Sequence, residues 1–200
     1  PIYKTHRTAA YPKSIYSDAK TNATNTELVS GGSGMKNFDG SIPFAIPKNG
    51  LEVIWNHVSR YRGGSVMRNT ARIAVTPQGD YLPVKIEGLL TPPAYLEDGF
   101  DAKKDNNILF YYMQAIKSPA RLTGNVLLVH ETIDQIEQPR MAWSYNAGQR
   151  RVRRAPQVAY DAPAQGTSGM STADQVDMFN GAPNKYDWKL VGKKEVYIPY

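Results

Sequence analysis

The sequence predicts a mainly β chain with helical additions, an α+β fold built on one curved antiparallel sheet. Three observations predict it. Between Val66 and Arg154, runs of alternating polarity recur with short polar connections, the pattern of a meander. The stretch from Trp143 to Pro156 reads as two strands joined at Asn146-Ala147-Gly148. The first strand is aromatic, and the second carries Arg150, Arg151, Arg153 and Arg154. Ahead of the strands, Leu51, Ile54, Trp55, Val58 and Tyr61 form one apolar stripe at helical spacing.

Residues 1–48 are polar and read as irregular. Thr21 to Thr26 and Ser30-Gly31-Gly32-Ser33-Gly34 are loop compositions, the second a linker or mobile loop. Ile42 to Pro47 is an extended apolar segment that proline keeps out of a central strand and that packs across a core edge. A helix is predicted over 49–61. Asn49 caps it, Glu52 completes a capping box, Arg60 and Arg62 suit the negative end of its dipole, and Gly63-Gly64 stops it.

Strands follow over 66–76 and 81–90, joined by the turn Pro77-Gln78-Gly79-Asp80. In the second, Leu82, Val84 and Ile86 share a face against Lys85 and Glu87. Residues 91–107 read as a loop. The strand over 108–117 has apolar groups on both faces, which suits a sheet packed on one side and lined by ligand or a plug on the other. The strand over 126–132 sets Val126, Leu128 and His130 opposite Leu127, Val129 and Glu131. The arginine hairpin, 140–145 with 150–154, completes the meander. A second helix is predicted over 172–180, capped by Ser171 with Asp174 and ended by Gly181 and Pro183. Residues 188–191 and 195–200 read as strands. A chain that starts at Pro1 without Met and stops in strand-like sequence reads as a fragment. The expected organisation is an irregular segment over 1–36, followed over 37–200 by the first part of a longer domain.

Composition narrows the function. The 200 residues carry a formal charge of +6, and 13 Tyr and 3 Trp suit half-buried sheet surfaces and amphipathic ligand walls. The basic clusters lie on separate elements, so solvated faces are preferred and no nucleic-acid partner is expected. Absence of cysteine rules out disulfides and thiolate metal sites. No apolar run approaches the roughly 20 residues of a membrane span, so contact with a membrane is peripheral at most.

Reaction chemistry finds little support. His6, His57 and His130 have no metal partner at useful spacing. Asp98 with Asp101 and Asp174 with Asp177 lack the cleft that splits the pKa values of catalytic pairs. The glycine-rich stretch has no following Lys-Ser/Thr, and Ser30, Ser33 and Ser171 lack a glycine-flanked elbow. No catalytic residue, metal or cofactor is expected. In the hairpin, alternation places Arg151 and Arg153 on one face. They serve as a charged edge, as ion-pair partners or as an anion clamp. Asp174 and Asp177 are their candidate partners.

Three segments carry a family resemblance: Asn37 to Phe44 with Pro47 to His57; Pro139 to Asn146 through Gln149 to Pro156; and Asp177 to Pro183 with Tyr186 to Glu195. Together they resemble the bacterial envelope family filed as domain of unknown function 1329, whose members are often labelled outer-membrane lipoprotein-sorting proteins. That family is similar in fold to the Lol-type periplasmic lipoprotein carrier and receptor, an open half-barrel with helices on its concave face. The resemblance implies a periplasmic location in a Gram-negative envelope and a hydrophobic or acylated cargo. It also implies that C-terminal strands of the same protein complete the half-barrel.

The functional expectation is a non-catalytic carrier or chaperone for lipid-like or acylated cargo in outer-membrane sorting or export. The alternative is a structural adaptor of an envelope export assembly, with an envelope protein partner and no small ligand. Trp55, Val58, Phe110, Tyr112, Leu128 and Trp143 are the expected apolar lining, in a cavity of roughly 300–1,000 Å³. Trp55 is expected to anchor its helix against the sheet.

Overall fold

The computed structural model describes residues 10–96, 106–155, 158 and 160–195. The first element among the described residues is a helix where loop was expected, α1 (Lys13–Asn25). Its apolar stripe is almost absent, and only Ile15 and Asn22 are buried. What holds it is Asn22. Its Nδ2 donates to the carbonyls of Asp39 (2.7 Å) and Ser41 (3.1 Å), and its Oδ1 accepts from the Asp39 amide at 3.0 Å. A tertiary clamp by a polar residue leaves no apolar period in the sequence, so the 1–36 segment looked irregular. The glycine-rich stretch after it is the turn of a small hairpin, β1 (Glu27–Val29) with β2 (Gly34–Lys36).

Helix α2 (Gly50–Val58) starts as predicted: Asn49 Oδ1 accepts the Glu52 amide at 2.9 Å. Glu52 reaches back to the Lys48 amide at 2.6 Å and the Asn49 side-chain amide at 3.0 Å. The helix ends earlier than Tyr61. Ser59 turns its hydroxyl onto the Trp55 carbonyl at 2.6 Å. Arg60 and Arg62 donate to the His57 and Val58 carbonyls at 2.7 and 2.8 Å, satisfying the last turn. Tyr61 instead stacks edge-on with Tyr11 and Tyr95 at 5.9 and 5.4 Å.

The main sheet has six strands in sequence order, every pair antiparallel: β3 (Val66–Val75), β4 (Tyr81–Thr91), β5 (Ile108–Ser118), β6 (Val126–Thr132), β7 (Met141–Asn146) and β8 (Arg151–Arg154). It is curved and open, with β3 and β8 as its two edges. Direct partners share a face, so the register sorts the side chains into two sets. One cross-strand row on the inner face runs Arg68, Gly88, Gln114, Leu127, Ser144, Arg153. The adjacent row on the outer face runs Met67, Leu89, Met113, Leu128, Trp143, Arg154. Val84 and Ile86 are buried as expected, but Leu82 near the turn is 52% exposed.

The core lies on the inner face. Leu90, Leu109 and Phe110 of the sheet pack with Val58 of α2 and with Phe179, and Ile54, Tyr112 and Trp188 close around them. Each such side chain contributes about 1.5–3 kcal/mol when fully buried. Trp55 is 1% exposed, and its polar edge is directed away from the strands. Its indole N–H donates to the Gly32 carbonyl at 2.8 Å, so it ties α2 to the N-terminal hairpin, while Ile54 and Val58 meet the strands.

The predicted second helix is a single 3-10 turn, Ala173–Gln175. Its capping box pairs Thr172 with Gln175, not Ser171 with Asp174. Asp177 (φ 62°) and Met178 (φ 71°) occupy the left-handed region and stop continuation. The chain then lays Phe179, Tyr186 and Trp188 edge-on against one another, with ring centroids 4.8–5.9 Å apart. Residues 188–191 form no strand, and of the predicted strand over 195–200 all but Glu195 lies outside the described residues.

Candidate functional site

A cavity of about 530 Å³ lies between the inner face of the sheet and the chain that returns over it after β8. Leu90, Phe110, Leu127 and Val129 give it an apolar floor; Ala164, Ala173 and Val176 lie on the opposite wall. Its polar side is built from β3, where Arg68, Thr70 and Arg72 line the cavity at alternate positions, joined by Arg62 from beyond α2.

Gly88 sits across from Arg68 on one side and Gln114 on the other. A Cβ there would lie 3.3 Å from the Tyr112 hydroxyl, so the glycine leaves a notch that the phenol fills. Tyr112 donates to Gln114 Oε1 at 3.1 Å. The same oxygen accepts from Arg72 at 3.2 Å, and Gln114 Nε2 donates to Gln165 Oε1 at 2.7 Å. Arg72 also donates to the Gln165 carbonyl. Its charge is therefore met by neutral acceptors alone. Arg68 has no hydrogen-bond or ion-pair partner among the described residues. Burial pushes the Tyr112 hydroxyl above its ordinary pKa, against the fields of Arg72 and Arg68.

At the far wall, Arg140 and Glu131 form an ion pair with side chains 3% and 1% exposed. Arg140 also donates to the Val158 carbonyl at 2.7 Å and to Asn180 Oδ1 at 2.6 Å, and its Nε–H has no partner among the described residues. Gln135 donates to Glu131 Oε1 at 2.9 Å. Four arginines thus line the cavity against two carboxylates, Glu131 and Asp177. Glu131 is committed to Arg140. Asp177 accepts from both Arg60 (2.6 Å) and Arg62 (3.0 Å). Burial raises the Asp177 pKa, but these two guanidinium bonds outweigh it and hold the carboxyl below its ordinary range. Burial lowers Arg62, the Asp177 bond opposes this, and repulsion from Arg60 and Arg68 leaves it below its usual value.

The predicted lining divides. Phe110 and Tyr112 line the cavity. Val58 lies in the core beside Phe110, and Trp55 faces the N-terminal hairpin. Leu128 and Trp143 face the opposite side of the sheet, because their partners across the strands are Met113 and Arg154. The predicted pairing of Arg151 and Arg153 with Asp174 or Asp177 does not form. All four residues of β8 are exposed at the sheet edge, and Asp177 is taken by the arginines closing α2. Asp174 accepts from Thr172 and, at 2.6 Å, from Tyr186; these bonds outweigh its burial and lower its pKa. Sequence reasoning missed Arg68, Arg72, Glu131 and Arg140. The signal for Glu131 was present: it shares the period-2 face of Leu127 and Val129, where a carboxylate needs a partner.

A larger polar cleft of about 1190 Å³ lies between α1, the β1–β2 hairpin and the start of β5. Two of its carboxylates are locally engaged, while burial and repulsion from Asp39 raise the Asp18 pKa. Glu27 pairs with Lys36 at 2.9 Å, and Asp134 accepts from Ser30 (2.7 Å) and the amides of Ile136 and Glu137. Among the described residues no three His, Asp or Glu side chains gather into a metal-binding group. None of the helices described is long and apolar enough to cross a membrane.

A family model described as a protein of unknown function (DUF1329) matches residues 1–200. An uncharacterized protein of Pseudomonas aeruginosa is 56% identical over 200 residues, which is 100% of this chain and 44% of that protein. The chain thus spans less than half the length of this curated relative. The crystal structure of a DUF1329 family protein from Desulfovibrio piger is similar over 68% of this chain and 50% of its own, with a TM-score of 0.46 and 20% sequence identity.

Proposed function

We propose that this chain, which belongs to the DUF1329 family, is the ligand-holding part of a non-catalytic carrier or chaperone for lipid-like or acylated cargo in the Gram-negative periplasm. The observation that supports this is the inner-face cavity. Its volume of about 530 Å³ suits a chain-like ligand, and Leu90, Phe110, Leu127 and Val129 offer that chain a contiguous apolar floor. Burying a methylene there yields about 0.8 kcal/mol, so a long acyl chain needs no reaction chemistry to be retained. Outer-membrane sorting or export of an acylated protein is the physiological role such a site would serve.

The test is titration of a fluorescent fatty-acyl probe against the full-length protein. Saturable binding is expected in the wild type. Leu127→Trp, which fills the floor with a larger ring, should remove most of it. Met113→Asn on the outer face should leave it intact. Absence of binding by the wild type would overturn the carrier reading.

One observation favours the adaptor reading instead. The outer-face row Met67, Leu89, Met113, Leu128 and Trp143 crosses five strands, and Met67, Leu89 and Met113 are 68%, 39% and 42% exposed. Contiguous apolar surface of this kind suits an envelope protein partner or the rest of the same protein. Loss of co-purifying protein in Met113→Glu, with probe binding unchanged, would support it.

A further inference from the structure

The cavity has a chemical polarity that the carrier reading leaves unused. Its floor is apolar, but the side formed by β3 carries two guanidinium groups with no carboxylate partner among the described residues. Arg72 is held by the Gln165 carbonyl and Gln114 Oε1, both neutral. Arg68 has no partner among the described residues. Alternation along β3 puts both on the side of the sheet that bears the cavity, with Thr70 between them. Across the strand, Gly88 sets no charged side chain opposite Arg68, and the notch it leaves holds the neutral Tyr112 phenol. The two carboxylates of the cavity cannot serve, since Glu131 is bound to Arg140 and Asp177 to Arg60 and Arg62. A second observation points the same way from the opposite wall. Arg140, 6% exposed, keeps a buried Nε–H without an acceptor among the described residues.

We infer that the cavity takes an amphipathic anion, one apolar chain bearing a carboxylate or phosphate head group that Arg68 and Arg72 bind between them. This rests on the carrier reading and adds to it the charge class of the ligand and the end of the cavity at which the head group sits. Guanidinium is suited to this task because its fork matches both oxyanions, and hydrogen bonds to a charged acceptor are roughly twice as strong as neutral ones.

The experiment is displacement of the acyl probe from the full-length protein by oleate, by an oleoyl lysophosphatidate and by oleyl alcohol. In the wild type the two anions should displace it at about tenfold lower concentration than the alcohol, the factor one or two charge-assisted bonds supply. A difference between oleate and the lysophosphatidate tells which oxyanion is preferred. Arg68→Gln, at an exposed side chain with no partner to lose among the described residues, should reduce the preference, and Arg68→Gln with Arg72→Gln should abolish it, so that anions and alcohol displace the probe at the same concentration. Equal displacement by all three in the wild type would overturn the inference and leave the carrier reading standing. So would a preference that survives both substitutions. If the probe itself does not bind, the carrier reading falls and this inference with it.

Discussion

Asp177 ties together two parts of the chain that are 115 residues or more apart, the end of α2 and the segment that returns after β8. Its carboxyl pKa lies below the ordinary range, so its bonds to Arg60 and Arg62 contribute stability above the unfolded pKa of about 4. That contribution is lost as pH falls through the lower, folded value. Asp177→Asn should therefore cost about 1 kcal/mol at pH 7, a modest figure because the group is partly exposed. The gap between variant and wild type should narrow on acidification, and thermal melts at pH 7 and pH 3 would show it. A gap that does not narrow at all between pH 7 and pH 3 would mean that the cost is steric.

The buried pair of Glu131 and Arg140 behaves differently, since neither charge has access to water. Arg140→Met leaves Glu131 with Gln135 as its main donor and should cost about 3–5 kcal/mol in urea denaturation. Adding Glu131→Leu should restore most of that loss, because two apolar side chains need no partner. A double variant as unstable as the single one would show that the Asn180 and Val158 bonds of Arg140, not the pair, hold this wall.

At the scale of elements, Trp55 links α2 to the N-terminal hairpin, while Val58 and Ile54 pack on the sheet. The Trp55 indole N–H donates to the Gly32 carbonyl at 2.8 Å. Trp55→Phe should cost about 1–3 kcal/mol, since the Gly32 carbonyl is left without its donor, and Trp55→Ala about 3–5 kcal/mol. Chemical denaturation measures both. Loss of β1–β2 amide protection before the main sheet in Trp55→Ala would confirm which neighbour it serves.

The elements that were legible are those whose own side chains carry the period. β3 to β8 alternate, and the start of α2 has Asn49 and Glu52 at capping distance in the sequence. α1 was not legible because Asn22, a residue with no helical preference, holds it through bonds to Asp39 and Ser41. The second helix was over-read because Ser171 to Asn180 has helical spacing, whereas Asp177 adopts a left-handed backbone to meet Arg60 and Arg62. The lining of the site was half legible. A period of two separates Leu127 from Leu128, but it does not say which of them faces the returning chain. Only long-range packing of Phe179 and Trp188 onto the side of Leu90 and Phe110 settles that.

For the whole molecule, the sheet is open, with β3 and β8 at its edges and β5 and β6 at its centre. Hydrogen exchange should grade accordingly. Amides of β5 facing β4 and β6 should be the most protected, and the solvent-facing amides of β3 and β8 the least. Uniform protection across all six strands would mean that both edges are covered in the full-length protein, by its remaining residues or by a partner.

The strand order also has a consequence in time. Each strand after β3 pairs with the strand made just before it, so no strand waits for a distant partner. Contacts that are close along the chain are closed at small entropic cost, and sheets dominated by them assemble faster than those with long crossovers. The sheet can therefore grow by accretion as the chain is synthesised, each new hairpin templated on the last. At every stage the newest strand is the growing front. At β8 that front carries Arg151, Arg153 and Arg154 in a row of four residues, and the next identical chain to arrive would meet like charge.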